Sequence, residues 1–180
     1  MGQIFTADNF IGSLTGSVYI SGSLNVCGNT QYNYGAFYDT TTQSGSINVS
    51  HSINHNSTSY SQGVSVVSGS RLTVANSGVY NIQFSAQVDR VSGTGNDIIY
   101  IWLKKNGNNV DNTATAVTVS GGSGEAKVVP AWNFLVNASA NDYYELVWQS
   151  ADANIHIVAE TGSGNIPAIP SIITTVTQVA

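Results

Sequence analysis

Two histidines, His51 and His55, lie four residues apart and are the first candidates for metal ligands. On a strand, residues i and i+4 share a face but stand about 13 Å apart, too far to bind one ion together. A threefold axis could instead gather three copies of one histidine around a metal. The polar residues around both favour solvated loop side chains, and His156, between two isoleucines, is expected to point outward from a strand. We therefore predict no metal site and no cofactor.

No arrangement of nucleophile, acid and base stands out for catalysis. The sequence has no Gly-x-Ser-x-Gly nucleophile elbow. Its ten carboxylates show no pair that suggests the two closely placed acids of a glycosidase. The glycine-rich stretches 93–97 and 121–124 are not followed by a helix or a Lys-Ser/Thr pair, so they are expected to be hairpin loops, not phosphate loops. The sequence predicts that the protein is not an enzyme.

The single cysteine and the three tryptophans have simpler interpretations. Cys27 is the only cysteine, so an intramolecular disulfide is impossible and a cysteine-based zinc site is close to impossible. A free thiol is consistent with a reducing compartment. Trp102, Trp132 and Trp148 fall within predicted strands, where packing in the core is expected; stacking of a sugar on an exposed tryptophan is the functional alternative.

The composition narrows the class of protein. Among the 180 residues, 76 are Ser, Thr, Asn or Gly, and charged residues make up only 8%, against roughly 25% in an ordinary domain. A hydrophobic fraction of 42% still provides a core. Five Lys and Arg and a net charge of −5 argue against nucleic-acid binding. We find no apolar run long enough for a membrane span and no secretory signal in the opening residues.

The N-terminal segment, residues 1–34, carries a short repeat of Gly-Ser-aliphatic units that begin at Gly12, Gly16 and Gly22. Alternating apolar residues between the glycines predict short strands with one buried face. So small a piece cannot bury that face alone. It is either a hairpin leading into the main domain or an oligomeric shaft or docking arm, and the candidate docking residues are Leu14, Val18, Ile20, Leu24 and Val26.

The main domain, residues 35–180, shows many short strands at roughly ten-residue spacing. The clearest spans 78–88, with Tyr80, Ile82, Phe84, Ala86 and Val88 on one side and polar residues on the other. Further strands are expected at 64–67, 71–74, 98–104, 114–119, 127–136, 143–149, 154–160 and 171–179. The pair Asn106-Gly107 predicts a hairpin turn. Together these features indicate an all-β sandwich or jelly roll.

Several blocks resemble C1q/TNF-like domains. The stretch 76–88 looks like the Gly-x-Tyr-x-Phe strand of that family, 101–107 like its aliphatic strand ending in Lys-Asn-Gly, and 141–148 like its later Gly-Asp-x strand, with Asn141 in place of the glycine. The resemblance implies a jelly-roll sandwich of about ten antiparallel strands that assembles as a homotrimer. The corresponding signature positions, expected in the core or between subunits, are Gly78, Tyr80, Phe84, Trp102 and Trp148.

The order of blocks 35–43, 66–73 and 166–173, preceded by the Gly-Ser-aliphatic repeat, is similar to head domains of structural proteins in tailed bacteriophages. That resemblance implies a virion protein that is assembled in the host cytoplasm and docks on other virion proteins through its arm. A capsid decoration, cement or head-spike protein is favoured. A receptor-binding tail-fibre or head-fibre tip that binds host glycans is the alternative, and a bacterial or secreted C1q-like binding module is a third possibility.

Overall fold

A computed structural model describes residues 32–121 and 127–180. Within these ranges the chain forms fourteen strands joined by turns and loops, and no helix. Across the same residues nothing resembles an apolar helix of membrane-spanning length. The predicted all-β class is therefore confirmed for the described part of the chain.

The first seven strands are β1 (Tyr34–Asp39), β2 (His51–Ser52), β3 (Ser57–Gln62), β4 (Val64–Val67), β5 (Arg71–Val74), β6 (Gly78–Ala86) and β7 (Val88–Arg90). The remaining strands are β8 (Asn96–Lys105), β9 (Asn108–Asn109), β10 (Thr115–Ser120), β11 (Ala131–Ala138), β12 (Tyr143–Ser150), β13 (Ile155–Ile157) and β14 (Ile172–Gln178).

Two antiparallel sheets contain most of these strands. The first has five strands in the order β11-β6-β14-β1-β3. The second follows the order β10-β8-β12-β5-β4, with β2 added beside β12 and β9 beside β8, and a separate pair joins β7 to β13. Ten of the fourteen strands have four or more residues, which agrees with the predicted number; the four others are two or three residues long.

The core lies between the two sheets and follows the predicted alternation. On β6, Tyr80, Ile82, Phe84 and Ala86 are buried while the residues between them are partly or fully exposed. The second sheet supplies the facing layer, including Ile99, Ile101, Leu103, Leu146 and Trp148. Burial of each large apolar side chain stabilises the fold by about 1.5–3 kcal/mol relative to exposure.

Several predicted strands have different bounds in the structure, and the strand predicted for 154–160 forms only as the three-residue β13. The strand predicted for 78–88 ends at Ala86, and β7 begins separately at Val88. The strand predicted for 127–136 begins only at Ala131. The preceding Pro130 has no N–H to donate to a ladder, although its carbonyl still accepts a hydrogen bond from the Ala86 amide at 3.0 Å.

The hairpin between β8 and β9 forms as predicted. Asn106 and Gly107 have φ values of 50° and 83°, the left-handed conformations that this turn requires. The Asn106 side chain adds two contacts across the sheet: its amide donates to Asp142 at 2.7 Å and its carbonyl accepts from the Tyr143 amide at 3.0 Å. The turn is thus joined to the start of β12.

Asn33 ties the beginning of the described chain into the core. Its side-chain amide donates to the Tyr80 hydroxyl at 2.8 Å and to the Gln178 side chain at 2.7 Å. Tyr80 in turn donates to the Asn76 carbonyl at 2.8 Å. Asn33 is 2% exposed, so the head includes this residue. The repeat and the five candidate docking residues lie outside the described residues.

Candidate functional site

The outward face of the five-stranded sheet lacks charge. Its strands contain one Asp, Glu, Lys or Arg residue, Asp39, which is 2% exposed. The other charged residues of the described chain lie in the second sheet, in the β7–β13 pair or in loops. A sheet face exposed to water in an ordinary protein carries charged side chains, whereas the centre of a protein interface is depleted of them.

Apolar and aromatic side chains are exposed on this same face. Tyr60 is 64% exposed, and its ring makes an edge contact with Tyr34 at a centroid distance of 6.1 Å. Ile173 projects from the central strand β14 and is 46% exposed, and Leu135 on β11 is 67% exposed. We call this surface the aromatic face: Tyr34, Tyr60, Leu135, Ile173 and the residues between them.

At one border of this face, β11 is paired only with β6 among the described strands. Its inward side chains, Trp132 and Phe134, are only half-buried, although they pack around Phe84 with ring centroids 4.7 and 6.3 Å away. The Trp132 indole N–H is shielded from solvent and has no hydrogen-bond partner within residues 32–121 and 127–180. This border therefore combines incompletely covered aromatic rings with an unpaired strand edge.

A polar groove lies away from the aromatic face, at the end of β1 where the chain crosses toward β13. Its volume is about 350 Å³. It is lined by Thr41, Thr42, Gln43, Ser44, His51, Ser52, Asn54 and Trp148. We call it the hydroxyl-amide groove, because hydroxyl and carboxamide groups dominate its lining and no Lys, Arg, Asp or Glu belongs to it.

His55 differs from the solvated loop residue that the sequence predicted. It is 5% exposed, and its Nε2 lies 2.8 Å from the hydroxyl of Thr174 in the interior. Burial lowers the pKa of His55 to about 4, although the nearby Asp39 acts in the opposite direction. The prediction was wrong because His55 lies two residues after the buried Ile53, and alternate residues of an extended segment face the same side.

Comparison with known proteins identifies the fold through solved structures. No protein-family model matches the sequence, and no curated protein shows significant similarity to it. Solved structures do match. Murine APRIL at pH 8.5 is 9% identical, with a TM-score of 0.52, over 83% of this chain and 100% of that chain. A second structure of murine APRIL, at pH 8.0, is 11% identical, with a TM-score of 0.53, over 82% and 99%.

The globular domain of zebrafish complement 1qA protein is 10% identical, with a TM-score of 0.50, over 83% of this chain and 98% of that chain. The chain has a C1q/TNF-like jelly-roll fold. The similarity spans nearly the whole of each solved domain, and at this level of identity it establishes the fold alone.

The five signature positions of the C1q/TNF-like resemblance occupy different environments. Tyr80, Phe84 and Trp148 lie in the core and are at most 2% exposed. Gly78 opens β6 at a φ of 156°, and a Cβ there would lie 2.6 Å from the carbonyl of Ala180. Trp102, expected in the core or between subunits, lies outside the core of one subunit: it is partly exposed on the outer surface of β8 and donates to Asn109 at 2.9 Å. Its neighbours Ile101 and Leu103 take the inward positions, so strand alternation excludes it.

The three histidines do not form a metal site within one chain. The two histidine rings contact different neighbours: His51 lies beside Trp148, and His55 lies beside Phe37. His156 is half-exposed between the buried Ile155 and Ile157. In residues 32–121 and 127–180, no three His, Cys, Asp or Glu side chains are grouped as metal ligands.

Sequence reasoning missed the hydroxyl-amide groove altogether. Its walls come from the loop 41–44 and from β2 with the residues after it, and Trp148 is contributed by a strand almost a hundred residues later. The residues themselves are Ser, Thr, Asn and Gln, the commonest types in this chain, so they carried no distinguishing pattern. Gln43 is a polar residue that the fold buries, but nothing in its local sequence indicated that burial.

Proposed function

We propose that this protein is a non-enzymatic virion structural protein of a tailed bacteriophage, whose C1q/TNF-like head assembles as a homotrimer. The charge-free aromatic face carries the proposal. Large exposed patches of apolar side chains mark interaction surfaces, and this one coincides with the absence of exposed charge on five strands. A second copy of the chain is the partner that we propose for it.

Two different surfaces are available for such a contact. The middle and far side of the aromatic face offer Tyr34, Tyr60 and Ile173, while its β11 border offers Leu135 together with the half-covered rings of Trp132 and Phe134. When unlike patches join head to tail, a ring forms if the rotation between neighbouring subunits divides a full turn, and an open filament forms if it does not. A threefold ring would cover the border of each subunit with the aromatic face of the next. This arrangement also accords with the homotrimer that the family resemblance implies.

The placement in a virion rests on the sequence resemblance to phage head domains and on the Gly-Ser-aliphatic repeat. In this proposal, the arm within residues 1–34 docks on other virion proteins, and the head projects from the particle surface. The sparse Lys and Arg content, five residues in all, leaves few sites for trypsin-like proteases. A capsid decoration, cement or head-spike protein is the role that we favour.

A receptor-binding tip of a tail fibre or head fibre is the second candidate. The hydroxyl-amide groove favours it, because an uncharged polar cleft suits a host-surface glycan better than a capsid contact. The two roles differ in abundance: a decoration protein covers many lattice positions, whereas a fibre is attached at few.

Quantitative mass spectrometry of purified particles tests the proposal. We expect the chain to be present in the particles at a stoichiometry matching the capsid lattice, in multiples of three. A copy number that matches the tail or a few capsid vertices would support the fibre role and contradict the decoration role. Absence from particles whose genome encodes the chain would contradict both roles, while leaving the trimer to be tested separately.

A further inference from the structure

We propose that the hydroxyl-amide groove is a binding site for a neutral carbohydrate. This inference specifies the ligand of the receptor-binding candidate, and it rests on that proposed function only for its biological role. Its chemistry rests on the lining residues of a single subunit. None of them belongs to the aromatic face or to β11, so the groove does not use the residues of the proposed trimer contact.

The groove is built as a rigid cleft. Gln43, 8% exposed, spans its two walls: the side-chain amide donates to the Asn54 carbonyl at 3.0 Å, and the side-chain carbonyl accepts from the Asn54 amide at 2.8 Å. The Gln43 backbone also exchanges two hydrogen bonds with Ile157, of 2.7 and 3.0 Å. Because both walls are held by four hydrogen bonds through one residue, little conformational entropy is lost when a ligand enters.

Two hydroxyls in the groove are arranged as acceptors. Thr41 donates its hydroxyl proton to Asp39, and Ser52 donates its own to Glu145 at 3.2 Å. With their protons directed to carboxylates behind the wall, the oxygens of both hydroxyls retain lone pairs for a ligand. The two carboxylates accept these hydrogen bonds from the wall residues and do not themselves line the groove.

Other groups provide donors. The Nε2 atom of His51 faces the Ser46 backbone, 2.9 Å from its amide nitrogen and 3.3 Å from its carbonyl oxygen. The Ser44 hydroxyl and the Asn54 carboxamide are exposed, and neither has a hydrogen-bond partner within the described ranges. A sugar hydroxyl is both donor and acceptor, so a mixed lining of this kind matches a row of them.

Two rings meet at the floor of the groove, where His51 is partly exposed and Trp148 is 2% exposed. The imidazole of His51 lies over Trp148, with centroids 5.5 Å apart and planes at 42°. Gly45 lets the loop pass close to that ring, since a Cβ there would lie 2.4 Å from His51 Cδ2. No cation lines the groove to pair with a phosphate, sulfate or sialic acid, so the ligand is expected to be uncharged.

The experiment is an NMR titration of the full-length protein with glucose, galactose, mannose, N-acetylglucosamine and their common disaccharides. We expect at least one to shift amide signals of residues 41–54 with a dissociation constant of about 1 mM or tighter. Glucuronate and N-acetylneuraminate, tested in parallel, should bind more weakly. The oligomeric mass of the same sample is recorded, so failure of the groove and failure of the trimer are distinguishable.

Variants assign the binding to the groove. Ser44→Ala and Asn54→Ala remove side-chain groups that make no hydrogen bond within the described residues, and each should weaken binding about tenfold, the loss of one good hydrogen bond. Ser65→Ala, an exposed hydroxyl on β4, is the matched control and should leave binding unchanged. The inference is overturned if no neutral saccharide of the panel shifts these signals, if the double variant binds normally, or if the acidic sugars bind best.

Discussion

His55 Nε2 lies 2.8 Å from the Thr174 hydroxyl, and this contact joins the segment after β2 to the middle of β14 inside the core. The other ring nitrogen, Nδ1, is buried without a hydrogen-bond partner in the described part of the chain. The imidazole is therefore held neutral in the folded head. A proton added to it would place an uncompensated charge in the interior.

The first prediction concerns acid stability. The pKa of His55 is lowered to about 4 in the folded protein, mainly by burial, from an ordinary value of 6.5. A base with a depressed pKa stabilises the fold fully above 6.5, and that contribution is lost as pH falls from 6.5 to 4. We expect the free energy of unfolding to fall by about 2 kcal/mol between pH 7 and pH 5.

Denaturant unfolding across this range measures the effect. His55→Gln keeps an amide near Thr174 but does not titrate, so the variant should lose most of the slope between pH 7 and pH 5. The matched control is His156→Gln, at a half-exposed position, which should retain it. An unchanged slope in the His55→Gln protein would show that His55 is not buried and neutral.

The second prediction concerns the link between Asn33 and Tyr80. Tyr80→Phe removes the hydroxyl that accepts from Asn33 and donates to the Asn76 carbonyl, both at 2.8 Å, and leaves the buried Asn33 amide without this partner. We expect a loss of about 1–3 kcal/mol in the free energy of unfolding. Tyr100→Phe, at a position 44% exposed, should change stability by less than about 0.5 kcal/mol. Equal effects in the two variants would disagree with the buried network.

The third prediction concerns Asp142, which organises the turn between β11 and β12. It pairs with Lys105 at 2.7 Å and accepts from the Asn106 side chain and the Ser139 amide, each at 2.7 Å. The bond from Lys105, followed by those from Asn106 and Ser139, lowers the pKa of Asp142 to about 2. Its contribution is present above its ordinary pKa of 3.8 and is lost as pH falls toward 2.

At pH 7, Asp142→Ala should therefore lower the melting temperature clearly, whereas Asp111→Ala, at an exposed loop position, should leave it almost unchanged. Thermal unfolding monitored by circular dichroism compares the two. Below pH 2 the difference between them should disappear, because Asp142 is then protonated in the unmodified protein as well. A difference that persists there would assign the effect to side-chain packing instead of charge.

The fourth prediction inserts charge into the aromatic face. Thr175 lies on β14 opposite Gln83 of β6, with its side chain on the outward face. Thr175→Glu should dissociate the proposed trimer, because a carboxylate buried without a partner in an interface is strongly unfavourable. Thr73→Glu, on the outward surface of the second sheet, is the matched control. Equal oligomeric mass in both variants by analytical ultracentrifugation would argue against an interface at this face.

Sequence patterns predicted the elements whose signals are local. The alternation from Tyr80 to Ala86 predicted a half-buried strand, and Asn106-Gly107 predicted the hairpin turn between β8 and β9. Both succeeded because strand period and backbone conformation depend on neighbouring residues. The burial of His55 depended on Thr174, more than a hundred residues away, and no local pattern contains such a contact. The groove was hidden for the same reason, since Gln43 acquires its role only when Ile157 and Asn54 close around it.

The aromatic face could be predicted from the sequence only in part. The rarity of charge was evident from composition, but its concentration outside one sheet became visible only when the strand order placed β1, β3, β6, β11 and β14 side by side. The exposed Tyr34, Tyr60 and Ile173 were each consistent with an ordinary core strand until their faces were assigned.

The most direct test of the central claim is the solution mass of two chains by light scattering: the full-length protein and a form that begins at Tyr32, which retains the buried Asn33. If the aromatic face holds the head together, both should have three times their monomer mass, which is 18.9 kDa for the full chain. A trimer of the full chain alone would move the assembly contact to the N-terminal arm. Two monomers would contradict the trimer and the function that we propose from it.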